Sequence, residues 1–95
     1  MTYTHVANMS GKTIDDFRAI NEKTPPAADI DGLLVQTAGS DADGLHVVTV
    51  WQSKAHLDRF EAEHLFPAFQ ALGIGGDVME KTTFTIFDSD ESYLA

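Results

Sequence analysis

The stretch that decides the fold is LHVVTVWQSKAHLDRFEAEHLFPAFQALG, Leu45 to Gly73. Its first part is an almost unbroken run of β-formers that ends at Trp51, and Ser53 then stands where a helix N-cap belongs. Beyond the cap, Leu57, Phe60, His64, Ala68 and Leu72 recur at helical spacing, while Lys54, Asp58, Arg59 and Glu61 fall mostly on the other side. The stretch is therefore a strand running directly into an amphipathic helix. Pro67 interrupts that helix: it lacks an N–H and crowds the carbonyl four residues back, so a kink near residues 63–65 or two short helices in tandem are expected.

Working outward, Thr2 to Asn8 reads as a first strand closed by Ser10-Gly11. Thr13-x-x-Asp16 is a capping pattern that opens a short helix with Ile14, Phe17 and Ile20 on one stripe, and Thr24-Pro25-Pro26 prevents its continuation. LLVQTAG, residues 33–39, reads as a second strand, and residues 40–44 as a hairpin loop leading into the strand that ends at Trp51. Gly73-Ile74-Gly75-Gly76 reads as a helix C-cap and turn, and DVMEKTTFTIFDS, residues 77–89, as a long fourth strand before an acidic tail, residues 88–95. The order is β-α-β-β-α-β in one domain spanning residues 1–95: an α+β, ferredoxin-like fold with a four-stranded antiparallel sheet and both helices on one face.

Two helices cover only one face of such a sheet. Along the third strand Leu45, Val47 and Trp51 point one way and Val48 and Val50 the other; on the fourth, Val78, Phe84 and Ile86 share one side and Met79 and Phe87 the other, with Thr83 and Thr85. Neither face reads as a solvent surface, so a second copy of the chain packed on the uncovered face, a homodimer, is the expected lid.

With 6 Lys+Arg against 15 Asp+Glu the formal charge is −9, which repels phosphate backbones and anionic lipid and makes nucleic acid and membrane surfaces poor partners. There is no Cys, hence no disulfide, thiolate metal site or Cys nucleophile. No segment approaches the ~20 apolar residues of a membrane span, and the expected location is the cytoplasm. No HxH or HExxH pairing supports a metal site, Asp41 and Asp43 lack the spacing of a calcium loop, and the glycines at 73–76 follow a helix instead of preceding one, the wrong order for a phosphate loop.

The residues VVTVWQSKAHLDRF, with Phe60 nine residues after Trp51, Pro67-Ala68 near the helix end and Gly73 beyond it, resemble the dimeric α+β barrel superfamily and, within it, the antibiotic-biosynthesis-monooxygenase-like single-domain proteins. That resemblance implies a dimeric α+β barrel, a pocket between helices and sheet for a hydrophobic or aromatic molecule, and in some members oxygenation of aromatic or polyketide-like substrates with no cofactor. Haem-degrading members of the superfamily carry an Asn on the first strand, a Trp at the end of the third, and an iron-ligating His about nineteen residues later. Asn8 and Trp51 match the first two positions, but Gln70 stands at the third, and His64, six residues earlier, points about 120° away on a regular helix. Haem is disfavoured accordingly.

The candidate site is then Trp51 and Phe60 as pocket walls, with Asn8 and His64 as polar groups that hold or deprotonate a substrate. Each has a plainer reading: a core aromatic for Trp51, a turn-forming side chain for Asn8, a hydrogen-bonded half-buried imidazole for His64. His5 and His46 lie on strands that approach if paired, His56 falls in an exposed first helical turn, and Tyr3 and Tyr93 are possible proton donors, the former packed in the sheet and the latter in the tail.

Overall fold

The computed structural model describes residues 2–90, and among these the side chains of residues 77–79 are excepted. Four strands, β1 (Thr2–Ser10), β2 (Leu33–Asp41), β3 (Gly44–Trp51) and β4 (Thr82–Ser89), form one antiparallel sheet in the order β2-β3-β1-β4. Helix α1 (Ile14–Asn21) follows β1, and the Thr13–Asp16 capping box expected from sequence is formed, Asp16 accepting from the Thr13 backbone N–H at 2.8 Å. A 3₁₀ turn, Ala27–Asp29, leads to β2.

After β3, Ser53 caps α2 (Lys54–Phe60) by accepting the His56 N–H. The helical run then widens into a π turn at Glu61–Leu65 and resumes as α3 (Phe66–Leu72), with Pro67 in the first turn of α3. The Phe66 N–H reaches back five residues to the Glu61 carbonyl, so the turn ahead of the proline ring is loosened before the ring would crowd it. Helical angles persist through both junctions, and Pro67 is accommodated by a bulge in one run and not by two separate helices.

Gly73 ends α3 with φ +69, a left-handed C-cap of the expected kind. The next segment corrects the sequence reading: residues Gly75–Lys81 form a further helix, α4, and the fourth strand starts at Thr82 instead of residue 77. The expected facing of Val78 and Met79 lies outside the described side chains, as does Tyr93 outside the described residues. The hairpin between β2 and β3 is also tighter than expected, a two-residue loop at Ala42-Asp43, held by the Asp43 N–H donating to Asp41 Oδ1 at 2.8 Å.

Strand alternation fixes the layers. Tyr3, Ala7 and Met9 of β1 and Leu45, Val47 and Trp51 of β3 are buried beneath the helices, whereas Val6, Val48 and Val50 on the opposite face are only half-buried. The core on the helix side falls into two clusters. One joins Ala7, Met9, Leu45 and Val47 to Ile20, Ala68 and Phe69; the other joins Tyr3 and Trp51 to Leu57, with Phe60 against it. Full burial of one such side chain contributes about 1.5–3 kcal/mol. Between the two clusters the register places His5 of β1 opposite Thr49 of β3, and these two are the buried polar residues of the floor.

Candidate functional site

The gap between the two clusters is a cavity. Its floor is the helix side of β1 and β3, from Met9 and Ala7 through His5, and Val47 through Thr49 to Trp51. Its roof comes from α1, through Phe17 and Ile20, and from the α2–α3 run, through Leu57, Phe60, Glu61, Leu65, Phe66 and Phe69. Phe84 of the edge strand closes one side and is 44% exposed, since the helices do not reach over β4. About 70 Å³ is open to the centres of water-sized spheres, several times the roughly 10–15 Å³ that one water needs.

Trp51 and Phe60 meet in this wall, their ring centroids 5.3 Å apart and tilted by 39°. Trp51 is 1% exposed and its indole N–H donates to Thr49 Oγ1 at 2.8 Å, which fixes the ring plane along the cavity end. These two residues occupy the positions expected of pocket walls.

Asn8 and His64 are placed elsewhere. Asn8 alternates with Ala7 and Met9 and so faces the open side of the sheet, where its Oδ1 lies 2.7 Å from His46 Nδ1; His46 Nε2 in turn lies 2.9 Å from Asp41 Oδ1. That carboxylate's pKa is held below its ordinary value, chiefly by the His46 hydrogen bond. His5 and His46 are thus on opposite faces and do not approach. His64 packs on the outer side of Phe60, ring centroids 5.9 Å apart, in a polar groove with Asp29, Asp31, His56 and Arg59. His64 lies within the π turn, still against Phe60 but on the groove side and outside the cavity lining.

Glu61, expected on the solvent side, lines the cavity because it follows buried Leu57 by four residues, one helical turn, and shares its face. Desolvation there raises its pKa above the ordinary carboxylate value, with Asp58 adding to the effect. His5 is the other titratable group of the lining among the described residues, 7% exposed, and burial lowers its pKa below 6.5. His56 is not solvated as expected: its ring packs over Gly32, and Ser53 Oγ lies 2.7 Å from its Nδ1.

Sequence reasoning missed His5, Thr49 and Glu61 as lining residues. The signal for the first two was present, since His5 shares parity with Tyr3 and Ala7, and Thr49 with Val47 and Trp51. Gln70, at the position of the haem ligand in the resemblance, is exposed on α3 and outside the cavity lining, and Asn8 lies across the sheet from Trp51, so the three positions do not converge. Among the described residues no group of three or more His, Asp or Glu side chains is arranged to hold a metal, and no helix is long and apolar enough to cross a membrane.

The architecture has known counterparts. Rv0793 from Mycobacterium tuberculosis superposes with a TM-score of 0.65 at 16% identity, over 97% of this chain and 98% of that one. SnoaB from Streptomyces nogalater, a cofactor-independent oxygenase, gives 0.61 at 17% identity over 96% of this chain and 95% of its own. A protein from Deinococcus radiodurans provisionally described as an antibiotic biosynthesis monooxygenase gives 0.62 at 14% identity, over 100% of this chain and 98% of that one. The fold is that of the antibiotic biosynthesis monooxygenase-like proteins. In that fold the sheet and the capping helices enclose the cavity described above, and the identities, all below 20%, carry the architecture and not the chemistry. Neither a protein-family model nor a curated protein matches the chain.

Proposed function

We propose that the protein binds a flat, apolar aromatic molecule in the cavity between helices and sheet, working as a homodimer closed through the open sheet face. The observation that carries the ligand reading is the break in the core at His5 and Thr49, walled by Trp51, Phe60, Phe69 and Phe84. A void of methyl size already costs about 1 kcal/mol, so a domain with nothing to accommodate is expected to fill such a gap with side chains. Titration with 1-aminoanthracene, whose emission rises in apolar surroundings, should saturate at one molecule per chain, and Ala7→Leu, which adds bulk to the floor, should weaken it. Absence of saturable binding by the folded protein would defeat this reading.

The dimer is supported by the half-buried Val6, Val48 and Val50 and by Phe87, 48% exposed, on the face opposite the helices. Sedimentation equilibrium at micromolar concentration should give twice the chain mass; a single monomeric species would contradict it.

A second reading is favoured by the fold shared with SnoaB and by the two isolated titratable groups in an apolar enclosure. It is cofactor-independent oxygenation of an electron-rich aromatic, in which the walls keep water from the reacting ring and the ring itself supplies electrons to oxygen. An oxygen electrode with anthrone as substrate tests it: uptake should follow protein concentration and match the ring oxidised, and a rate equal to the protein-free control would sink the oxygenase reading while leaving the binding reading intact.

A further inference from the structure

The floor of the cavity carries a polar row of three side chains. Across the strands, Gln36 of β2 pairs with Thr49 of β3, and Thr49 with His5 of β1. Directly opposed residues of an antiparallel pair hold their Cβ atoms about 4.5–5.5 Å apart on one face. The rows on either side are apolar, Ala38, Val47 and Ala7 on one and Leu33, Trp51 and Tyr3 on the other. A strip of hydrogen-bonding groups thus crosses an apolar floor.

Two of its members are poised toward a ligand. The ring of His5 is 7% exposed, lines the cavity, packs against Phe84 with centroids 5.2 Å apart, and has no hydrogen-bond partner among the described residues. Its ring nitrogens are not sealed in the packing and so can be reached from the cavity by a ligand that hydrogen-bonds them. Thr49 Oγ1 accepts from the Trp51 indole, and its own O–H hydrogen remains available to donate.

We infer that His5 and Thr49 form a subsite for an acidic ring hydroxyl, a phenol or an enol, whose proton passes to the His5 imidazole while Thr49 donates its hydrogen to the same oxygen. This rests on the aromatic-ligand reading above. In the transfer the ligand O–H bond breaks, an N–H bond forms on the imidazole, and the electron pair stays on oxygen, leaving a phenolate–imidazolium pair of zero net charge. Burial keeps the imidazole neutral and able to accept but makes it the weaker base, so the transfer relies on the attraction between phenolate and imidazolium within the apolar enclosure. Among the described residues the lining contains no Lys or Arg, and Glu61 is its second titratable group, so a ligand arriving as a carboxylate would bury an uncompensated charge, whereas a phenol enters neutral. The tilted pair Trp51–Phe60 stands one row away, where it can hold the ring that bears the hydroxyl.

The experiment compares 4-nitrophenol with 4-nitroanisole, which has the same ring but no acidic hydrogen. Quenching of Trp51, the single tryptophan, reports binding of either, and the visible phenolate band reports ionisation of the first. Nitrophenol should bind about three- to tenfold more tightly, the gain of one well-made hydrogen bond, and should show more phenolate bound than free at the same pH. His5→Phe should remove that preference, and His5→Gln, which keeps a polar group but cannot take the proton, should remove the excess phenolate band. Equal affinity for the two probes, or a bound nitrophenol less ionised than the free one, would overturn the inference alone. Failure of both probes to bind the folded protein would overturn the cavity reading, and the inference with it.

Discussion

The Trp51 indole N–H and the Thr49 hydroxyl meet at 2.8 Å on the helix side of β3, both nearly closed to solvent. This single hydrogen bond sets the ring plane at one end of the cavity and the direction of the hydroxyl on its floor. Thr49→Val keeps the shape and removes the acceptor, leaving the indole N–H buried and unpaired. The expected loss is about 1–3 kcal/mol by urea unfolding, with Thr49→Ser restoring most of it. Equal stabilities of the Val and Ser variants would show that the hydrogen bond contributes nothing.

His5 gives the fold a dependence on pH whose sign is set by burial. Its folded pKa lies below 6.5, so on acidification the unfolded chain takes up the proton first. The stability that the neutral ring confers is complete above the unfolded value and is lost as pH falls from there through the folded value. Between about pH 7.5 and about pH 5.5 the urea midpoint should fall more steeply in the native protein than in His5→Phe. Parallel curves would show that His5 titrates alike in both states.

Glu61 acts in the opposite sense. Desolvation raises its folded pKa, so the folded chain holds this proton more tightly than the unfolded chain, and stability is gained as pH falls through the folded value toward 4.5. Above that window the half-buried carboxylate is a cost. Glu61→Gln should therefore raise the urea midpoint at neutral pH, and the advantage should vanish near pH 4.5. An advantage that is the same at both pH values would assign the effect to packing and not to charge.

Much of the frame was legible because it is written in local patterns. The run into Trp51, the Ser53 cap and the Thr13–Asp16 box are each decided within a few residues, and each forms as expected. Helix α4 was hidden because Gly75-Gly76 disfavour a helix while the Thr and Phe beyond it favour a strand, and only the short span Gly75–Lys81 resists that bias. The site was harder to read. Trp51 and Phe60 keep their expected facing, whereas Glu61 shares the inner face of Leu57 one turn back and His64, within the π turn, lies in the outer groove. Asn8 followed the resemblance to haem-degrading proteins, when the two-residue period of β1 already set it opposite Ala7.

Gly32 ties the start of β2 to the start of α2, and its replacement separates two costs. The residue has φ +84, and a Cβ there would collide with the ring and Cβ of His56, while its carbonyl accepts the Gln52 N–H at 2.8 Å. Gly11 has a similar φ, +74, with open space where a Cβ would stand. Gly11→Ala should thus cost only the left-handed backbone penalty, about 1–2 kcal/mol. Gly32→Ala adds the displacement of His56, and with it the N-terminal turn of α2, for a total of roughly 2–4 kcal/mol. Because Leu57 and Phe60 descend from that turn into the cavity wall, Gly32→Ala should also weaken 1-aminoanthracene binding while Gly11→Ala does not. Equal unfolding midpoints for the two variants would mean that His56 moves aside freely and that the Gly32 contact does not position the wall.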